Sequence, residues 1–344
     1  MGLDKSKTYH LMEVCGTHTM AIARSGIKNL LPSYIRLISG PGCPVCVTPP
    51  EVIDAALELT EKPGMILATY GDMIRVPGSV KGDNLAKRSA MGADVRIVYS
   101  AMDAVEIAKQ HPDREVVFLG VGFETSAPGT ATSIEAAMEQ NITNYSVFSM
   151  LKMLEPSIRA LAADPDFNVQ GFICPGHVAV ILGEEGLRFF SEDLHIPAVI
   201  AGFDTDDIVN AVRMLMLQIA KGEARLENEY ADVVRPEGNP MARQIMDRYL
   251  EPRKDIWRGL GSIDLSGYGI RPEYAAFDAE KKFGITFREP TVRSGCRCGD
   301  VVKGKLDPVE CPLFGTVCLP EDPEGPCMVS AEGACAAAYK YRSF

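Results

Sequence analysis

The sequence predicts an α/β protein: two parallel-sheet α/β domains followed by a C-terminal cysteine-rich module. Three observations lead there. From Ile35 to about Lys221, short apolar and β-branched runs alternate with stretches of helical periodicity, the rhythm of parallel βαβ units. The turns after those runs concentrate glycine, proline, cysteine and histidine, and in such sheets ligands sit beyond the carboxyl ends of the strands. Six of the ten cysteines fall in the last 49 residues, and none lies between Cys174 and Cys296.

The candidate strands are Ile35–Ser39, Met65–Thr69, Val95–Tyr99, Val116–Gly120, Tyr145–Ser149, Gly171–Cys174 and Ala198–Ala201. Periodic apolar segments such as Ile53–Leu59, Ala131–Met138 and Ile208–Ile219 read as the helices between them. Pro41-Gly42-Cys43 and Pro175-Gly176-His177 occupy similar strand-end positions, an echo that suggests two related halves split near Gly120 to Ala127. The expected domains are therefore 1–121, 122–222 and 223–344. Beyond Lys221 the pattern changes: a helix is expected over Pro240–Leu250, Trp257 to Tyr274 is glycine-rich with little periodicity, and the cysteine module begins near Gly295.

A chain of 344 residues with 46% hydrophobic composition can bury real cores. Met1 to Cys15 is mostly polar and lacks the apolar region of a secretory signal, so a cytoplasmic protein is expected. Met1-Gly2-Leu3-Asp4-Lys5-Ser6 fits a myristoylation pattern but has no basic patch beside it, and is read as chance. The best apolar stretch, Ile208 to Ala220, is interrupted by Asn210, Arg213 and Gln218, which excludes a membrane span there. A net charge of −11 without a lysine/arginine cluster argues against nucleic acid and anionic membranes as partners. In a reducing compartment, ten cysteines point to metal binding or redox chemistry rather than stapling.

Six thiols this close in sequence serve disulfides, zinc, or an iron–sulfur cluster with a redox pair beside it. The tail runs Cys296-Arg297-Cys298, then Cys311, Cys318, Cys327 and Cys335, and contains no C-x2-C pair of the kind that commonly holds zinc. Glycines and prolines flank nearly every one of these cysteines and suit loops around a bulky cluster whose sulfurs need N–H donors, so an iron–sulfur module is expected.

Other motifs sit in the turns. Glu13-Val14-Cys15-Gly16-Thr17-His18 sets a thiol and an imidazole three residues apart, placed to act as metal ligands or as a thiolate lowered by a neighbouring imidazolium; alone, such a pair is more often structural. Cys43-Pro44-Val45-Cys46 is stronger, since C-x-x-C geometry at a helix start closes an exchangeable disulfide, although the aromatic surroundings of a thioredoxin are missing. His177 stands in a Pro-Gly-His turn, and Glu124 and Asp204 each follow Gly-Phe at a strand end, where a carboxylate either relays protons, binds a ligand or caps the next helix. The turn around Gly120 and Gly122 lacks the third glycine of a dinucleotide fold, and there is no phosphate loop, so a nucleotide cofactor is not supported.

Cys-Gly-Thr-His-Thr at 15–19, Gly-Pro-Gly-Cys-Pro-Val-Cys at 40–46, Gly-Phe-Glu-Thr at 122–125, Pro-Gly-His-Val at 175–178 and the six-cysteine tail together resemble the HypD family of hydrogenase maturation factors, over essentially the whole chain. The resemblance implies a part in assembling the Fe(CN)2CO unit of [NiFe]-hydrogenases, as a scaffold with redox activity rather than a turnover enzyme. It implies a HypC-like chaperone and a HypE-like cyanide donor of the HypE/HypF system as partners. By the same likeness Cys15 is the thiolate ligand of the transient iron, His18 its neighbour as ligand or proton donor, and Cys43/Cys46 the redox-active pair of the same cleft, near Glu124 and His177. The family's tail is similar to ferredoxin:thioredoxin reductase, which implies a [4Fe-4S] cluster on Cys296, Cys311, Cys318 and Cys335 with Cys298 and Cys327 as the adjacent pair. A stand-alone disulfide reductase fed by the cluster is the alternative, and it has no use for Cys15 and His18. Asp204 departs from the family's usual glutamate, and the stretch before Cys15 is short for the family, so an initial helix is expected to be missing.

Overall fold

The computed structural model describes residues 2–288 and 295–341. In chain order its strands are β1 (Tyr9–Glu13), β2 (Ile35–Ser39), β3 (Met65–Thr69), β4 (Asp94–Ile97), β5 (Glu115–Gly122), β6 (Tyr145–Leu151), β7 (Gly171–Pro175), β8 (Ala198–Ala201), β9 (Leu226–Asn228), β10 (Leu250–Trp257) and β11 (Gly261–Ile270). They form a five-stranded parallel sheet ordered β2-β1-β7-β8-β9, a four-stranded parallel sheet ordered β4-β3-β5-β6, and an antiparallel hairpin of β10 and β11.

The inner parallel strands feed two cores. In the first sheet Leu11, Leu37 and Ile173 face one core while Met12, Ile38 and Phe172 face the other. In the second, Leu67, Val117 and Phe148 alternate with Ile66, Val116 and Val147 in the same way. Parallel sheets covered on both faces produce the continuous apolar runs seen in the sequence.

The sheets do not divide the chain at 121/122. That position lies inside β5, and β1 and β2 pair with β7 to β9 across the whole of the second sheet, which is built from residues 65–151. The first sheet is thus made of two segments with the second inserted between them. The echoing Pro-Gly turns follow β2 and β7, strands of one sheet, so they do not mark two related halves.

Residues 250–270 form the hairpin, its second strand lying in the Trp257 to Tyr274 stretch that showed little periodicity. It lies beside β6, an outer strand of the second sheet, where Met153 N–H donates to the Ser266 carbonyl (2.8 Å) and Arg253 donates to the Ser149 carbonyl (2.8 Å). An exposed edge invites pairing with other chains, and this arrangement covers it. Lys152, at the end of β6, is buried against the hairpin: its Nζ lies 2.7 Å from Asp255 and donates to the Ile256 carbonyl (2.9 Å), over the buried Trp257 ring. Trp257 in turn donates its indole N–H to Ser266 (2.9 Å).

The cysteine tail touches both sheets. Lys305 bonds Asp164 (2.8 Å) and Asp166 (2.9 Å), Arg36 pairs with Asp307, and Cys298, Cys318, Cys327, Cys335 and Met328 share one core with helix Pro50–Leu59 and a face of the second sheet.

Removing one partner of a buried ion pair leaves the other charge uncompensated, so Asp255→Ala should lower stability to urea by about 3–5 kcal/mol. Lys152→Met combined with Asp255→Leu should recover most of that loss. If the single variant unfolds at the wild-type midpoint, the pair does not hold the hairpin.

Candidate functional site

Each sheet has one place where its strand order reverses. In the first it lies between β1 and β7, and in the second between β3 and β5. Connections leave such a point in opposite directions and open a crevice beyond the strand ends. Here the two crevices are one: a cleft of about 650 Å³ is lined by Cys15 after β1, His177 after β7, Asp72 after β3 and Thr125 after β5, and closed on one side by Ser330 and Glu332 of the tail.

Cys15 stands at the cleft as the N-cap of helix Gly16–Ser25, its backbone N–H donated to Glu13 Oε2 (3.1 Å). The loop after β2 crosses directly over it. A Cβ on Gly42 would fall 2.2 Å from the Cys15 nitrogen, so only glycine allows that crossing, and the Gly42 carbonyl accepts the Gly16 N–H (3.1 Å). Burial pushes the Cys15 thiol up to about 12, and Glu332 and Glu13 add to the rise against N–H donors from His18 and Thr17.

His18 is fully buried, with Nε2 2.8 Å from the Gly202 carbonyl and its ring 4.6 Å from Phe203. Burial pulls it down to about 4, so it is neutral at neutral pH, and the bond to Gly202 makes Nε2 the protonated nitrogen. Nδ1 is buried without a hydrogen-bond partner. Of the two expected roles, burial works against an imidazolium that lowers a neighbouring thiol, since it lowers the imidazole and raises the Cys15 thiol, and it leaves the metal-ligand role open.

His177 is exposed at the cleft and stacks on the other side of the neighbourhood of Phe203, with ring centres 4.1 Å apart. In the Ala201-Gly202-Phe203-Asp204 turn it is the Gly202 carbonyl and the Phe203 ring that meet the histidines. Asp204 is the N-cap of helix Thr205–Lys221, its N–H held by Asp207 (3.0 Å). Glu124 is buried and does not cap the helix that follows it. Its Oε1 accepts the Leu154 N–H (2.9 Å) at the start of helix Leu154–Ala162, Oε2 has no partner, and burial raises the carboxyl to about 7.

Cys43 and Cys46 are disulfide-bonded, with Cα atoms 5.2 Å apart, in the turn between β2 and helix Pro50–Leu59 rather than at a helix start. Pro44 and Val45 between them line the cleft, while the sulfurs face inward toward the tail, where Cys43 Sγ lies 3.5 Å from Ser330 Oγ. The Ser330–Glu332 turn is docked by Asp72, which accepts from the Ser330 hydroxyl (3.0 Å) and the Ala331 N–H (2.9 Å), and by Thr17, whose hydroxyl donates to Glu332 (2.7 Å). Asp72, Ser330, Glu332 and Phe203 were not singled out from the sequence, because no motif marks them and only the fold brings them to the cleft.

In the tail, Cys296, Cys298, Cys311, Cys318 and Cys335 line one small apolar cavity with Leu313, Phe314 and Met328. Cys298 is in contact with both Cys296 and Cys327, and Cys327 with Cys335. These contacts, and Arg258 beside them, hold the Cys298 thiol well below its usual range, while its neighbours Cys296 and Cys327 are raised. Cys318 accepts the Glu324 N–H (3.3 Å), the kind of donor a thiolate ligand uses. Among the described residues no three or more His, Cys, Asp or Glu side chains are already spaced around a single metal position. The soft, N–H-supported thiol set fits an iron–sulfur cluster by its chemistry, with the sulfurs now touching each other.

No helix among the described residues is long and apolar enough to cross a membrane. A family model described as "HypD: Hydrogenase formation hypA family" matches residues 2–342. The chain is 44% identical to the hydrogenase maturation factor HypD of Rhizobium leguminosarum bv. viciae, over 99% of this chain and 90% of that protein. It is 44% identical to HypD of Escherichia coli K12, over 96% and 89%, and 42% identical to the hydrogenase expression/formation protein HupD of Azotobacter chroococcum mcd 1, over 98% and 90%. Matched in this way along nearly all of its length, the chain belongs to the HypD family of hydrogenase maturation factors.

Proposed function

We propose that this chain is the scaffold on which the Fe(CN)2CO unit of [NiFe]-hydrogenases is assembled, working with a HypC-like chaperone and a HypE-like cyanide donor. The observation that carries this reading is Cys15: a buried thiol opening on the cleft where both sheets end, with an unpartnered imidazole nitrogen three residues away. A low-spin iron carrying cyanide and CO is the kind of cargo a soft thiolate holds. A thiol raised to about 12 is protonated until a metal displaces the proton.

In the tail, Cys296, Cys311, Cys318 and Cys335 would hold a [4Fe-4S] cluster, which supplies single electrons when bound. Cys298 and Cys327 are the remaining thiols, in contact with each other and with two of those four, with Arg258 beside Cys298. Cys43 and Cys46 belong to the same core as Cys298 and Cys327, which supports placing both pairs in one redox unit. That continuity also favours the second reading, a stand-alone cluster-linked disulfide reductase, in which Cys15 has no task.

Cys15→Ala separates the two readings. Infrared spectra of the variant purified with its partners should lack the cyanide and CO stretches while the tail cluster is kept; retained bands would remove Cys15 as a ligand. His18→Ala should be milder, with a loss of about 10–100-fold in cargo affinity. The cluster is tested by metal content: anaerobic protein should be brown with about four irons per chain, and Cys311→Ala or Cys318→Ala should lose them. Stoichiometric zinc in place of iron would overturn the assignment.

Glu124 gives a pH test of its burial. Its native pKa of about 7 lies above the unfolded value of about 4.5, so the native state keeps a proton that the unfolded chain releases, and stability falls as pH rises through that window. Glu124→Gln cannot titrate. Relative to wild type it should gain up to about 3 kcal/mol between pH 4 and 8 in denaturant titrations, and parallel curves would show a solvated carboxylate instead.

A further inference from the structure

We propose that Arg258 is a positioning residue that ties the turn carrying Cys43 and Cys46 to the tail, holding the Val47 and Thr48 carbonyls while its guanidinium serves as the counter-charge of the tail sulfurs. The proposal rests on the iron–sulfur reading of the tail and adds a residue outside the cysteine motifs that sets how readily that group takes an electron.

Arg258 stands in the turn between β10 and β11, one residue after the buried Trp257. Its backbone N–H donates to the Val47 carbonyl (2.7 Å) and its Nε to the Thr48 carbonyl (2.9 Å), on the two residues that follow Cys46. Both carbonyls belong to the small turn that holds the disulfide. There Val47 N–H donates to the Cys43 carbonyl (3.2 Å), Thr48 N–H to the Val45 carbonyl (3.2 Å), and the Thr48 hydroxyl to the Pro44 carbonyl (2.9 Å). The next residue, Gly259, meets the tail. Its φ is +83°, and a Cβ there would fall 2.6 Å from the Gly299 Cα, so the tip of the hairpin lies flush on the residue after Cys298.

The charge of Arg258 is unlike that of its neighbours. Lys152 and Arg253, the other cations turned inward at the hairpin, have carboxylate partners in Asp255 and Glu280. Arg258 is half-buried and has no carboxylate partner among the described residues. A cation withdrawn from water needs compensation, and what faces this one is sulfur: the guanidinium donates to Cys298, and its charge acts on Cys296 as well. Arg297, which lies between those two cysteines in sequence, is exposed and paired with Asp300 instead. The planar fork of an arginine suits the double task, since Nε is spent on Thr48 and the terminal nitrogens are left for the sulfurs. Reducing an iron–sulfur group adds one negative charge to a sulfur set that is already anionic. A fixed cation with N–H donors at those sulfurs stabilises the reduced form and raises the potential.

The test is a mediated dithionite titration of the anaerobically purified full-length protein, followed by electron paramagnetic resonance, with amide exchange over residues 43–48 read by mass spectrometry as a second measurement. Arg258→Gln and Arg258→Met remove the charge. At a fixed potential each should hold about tenfold less reduced relative to oxidised cluster, a midpoint lowered by about 59 mV for one electron. Arg258→Lys keeps the charge and should stay within about threefold of wild type, a rescue that a merely structural role would not give. An ammonium is a point charge without the fork, so the amides of the turn should exchange about fivefold faster in all three variants, the scale of one lost hydrogen bond. Both neutral variants titrating within about twofold of wild type, or Arg258→Lys falling as far as they do, would overturn the counter-charge. Unchanged exchange in all three would overturn the hold on the turn. A tail that carries zinc in place of iron would instead overturn the cluster reading, and this inference with it.

Discussion

Both parallel sheets are buried on both faces, and that constraint places everything else. A parallel strand covered on two sides has no polar face to offer, so reactive side chains can stand only beyond its ends. Two such sheets, each with one reversal of strand order, have only two favoured places for a site, and this fold makes them coincide. Gly42 then allows the loop carrying Cys43 to cross over the backbone of Cys15, so that Cys15, Pro44 and Val45 share one wall of the cleft, with the disulfide behind it.

Desolvation is what sets the chemistry of that cleft. It raises Cys15 to about 12 and Glu13 and Glu124 to about 7, and lowers His18 to about 4. Every one of these shifts favours the uncharged form. A thiol tuned in this direction is not an activated thiolate open to oxidation or alkylation; it becomes a ligand when an incoming metal replaces its proton. The tail works in the opposite sense, since contact between sulfurs and the Arg258 guanidinium concentrate negative charge on Cys298.

The strands were legible because their apolar runs answer to burial on both faces: the run Met65–Thr69 is a strand at those bounds, and Val116–Gly120 extends by a residue or two at each end. Their partition was not legible. Nothing in the side chains of β1 or β7 says that they pair with each other across an inserted sheet, and β1 was overlooked because His10 interrupts a strand only five residues long. The hairpin was missed for a related reason: Pro252, Arg253, Lys254 and Asp255 look like a solvated loop, yet Arg253 and Asp255 are turned inward by partners on β6 and helix Ala279–Phe283. Motifs located Cys15 and His177 at the cleft and the Cys43–Cys46 pair in the loop beside it, whereas Asp72, Ser330 and Glu332 belong to it only through tertiary contact.

Packing also limits how the tail can respond to a change of oxidation state. A Cβ on Gly325 would fall 2.5 Å from Cys296 Sγ, and one on Gly333 would fall 2.1 Å from the Cys327 carbonyl, so the loops around these sulfurs have no slack. Cys298 and Cys327 share a close-packed core with Cys43 and Cys46. Any rearrangement of sulfur contacts in the tail has to be taken up by that core, because dense interiors transmit displacement rather than absorb it. The Ser330–Glu332 turn is the part of the tail that touches the cleft, held there by Asp72 and Thr17. On the scaffold reading, a change in the tail therefore reaches the cargo site through this turn, which sets the Ser330 hydroxyl beside Cys43 and the Glu332 carboxylate near Cys15.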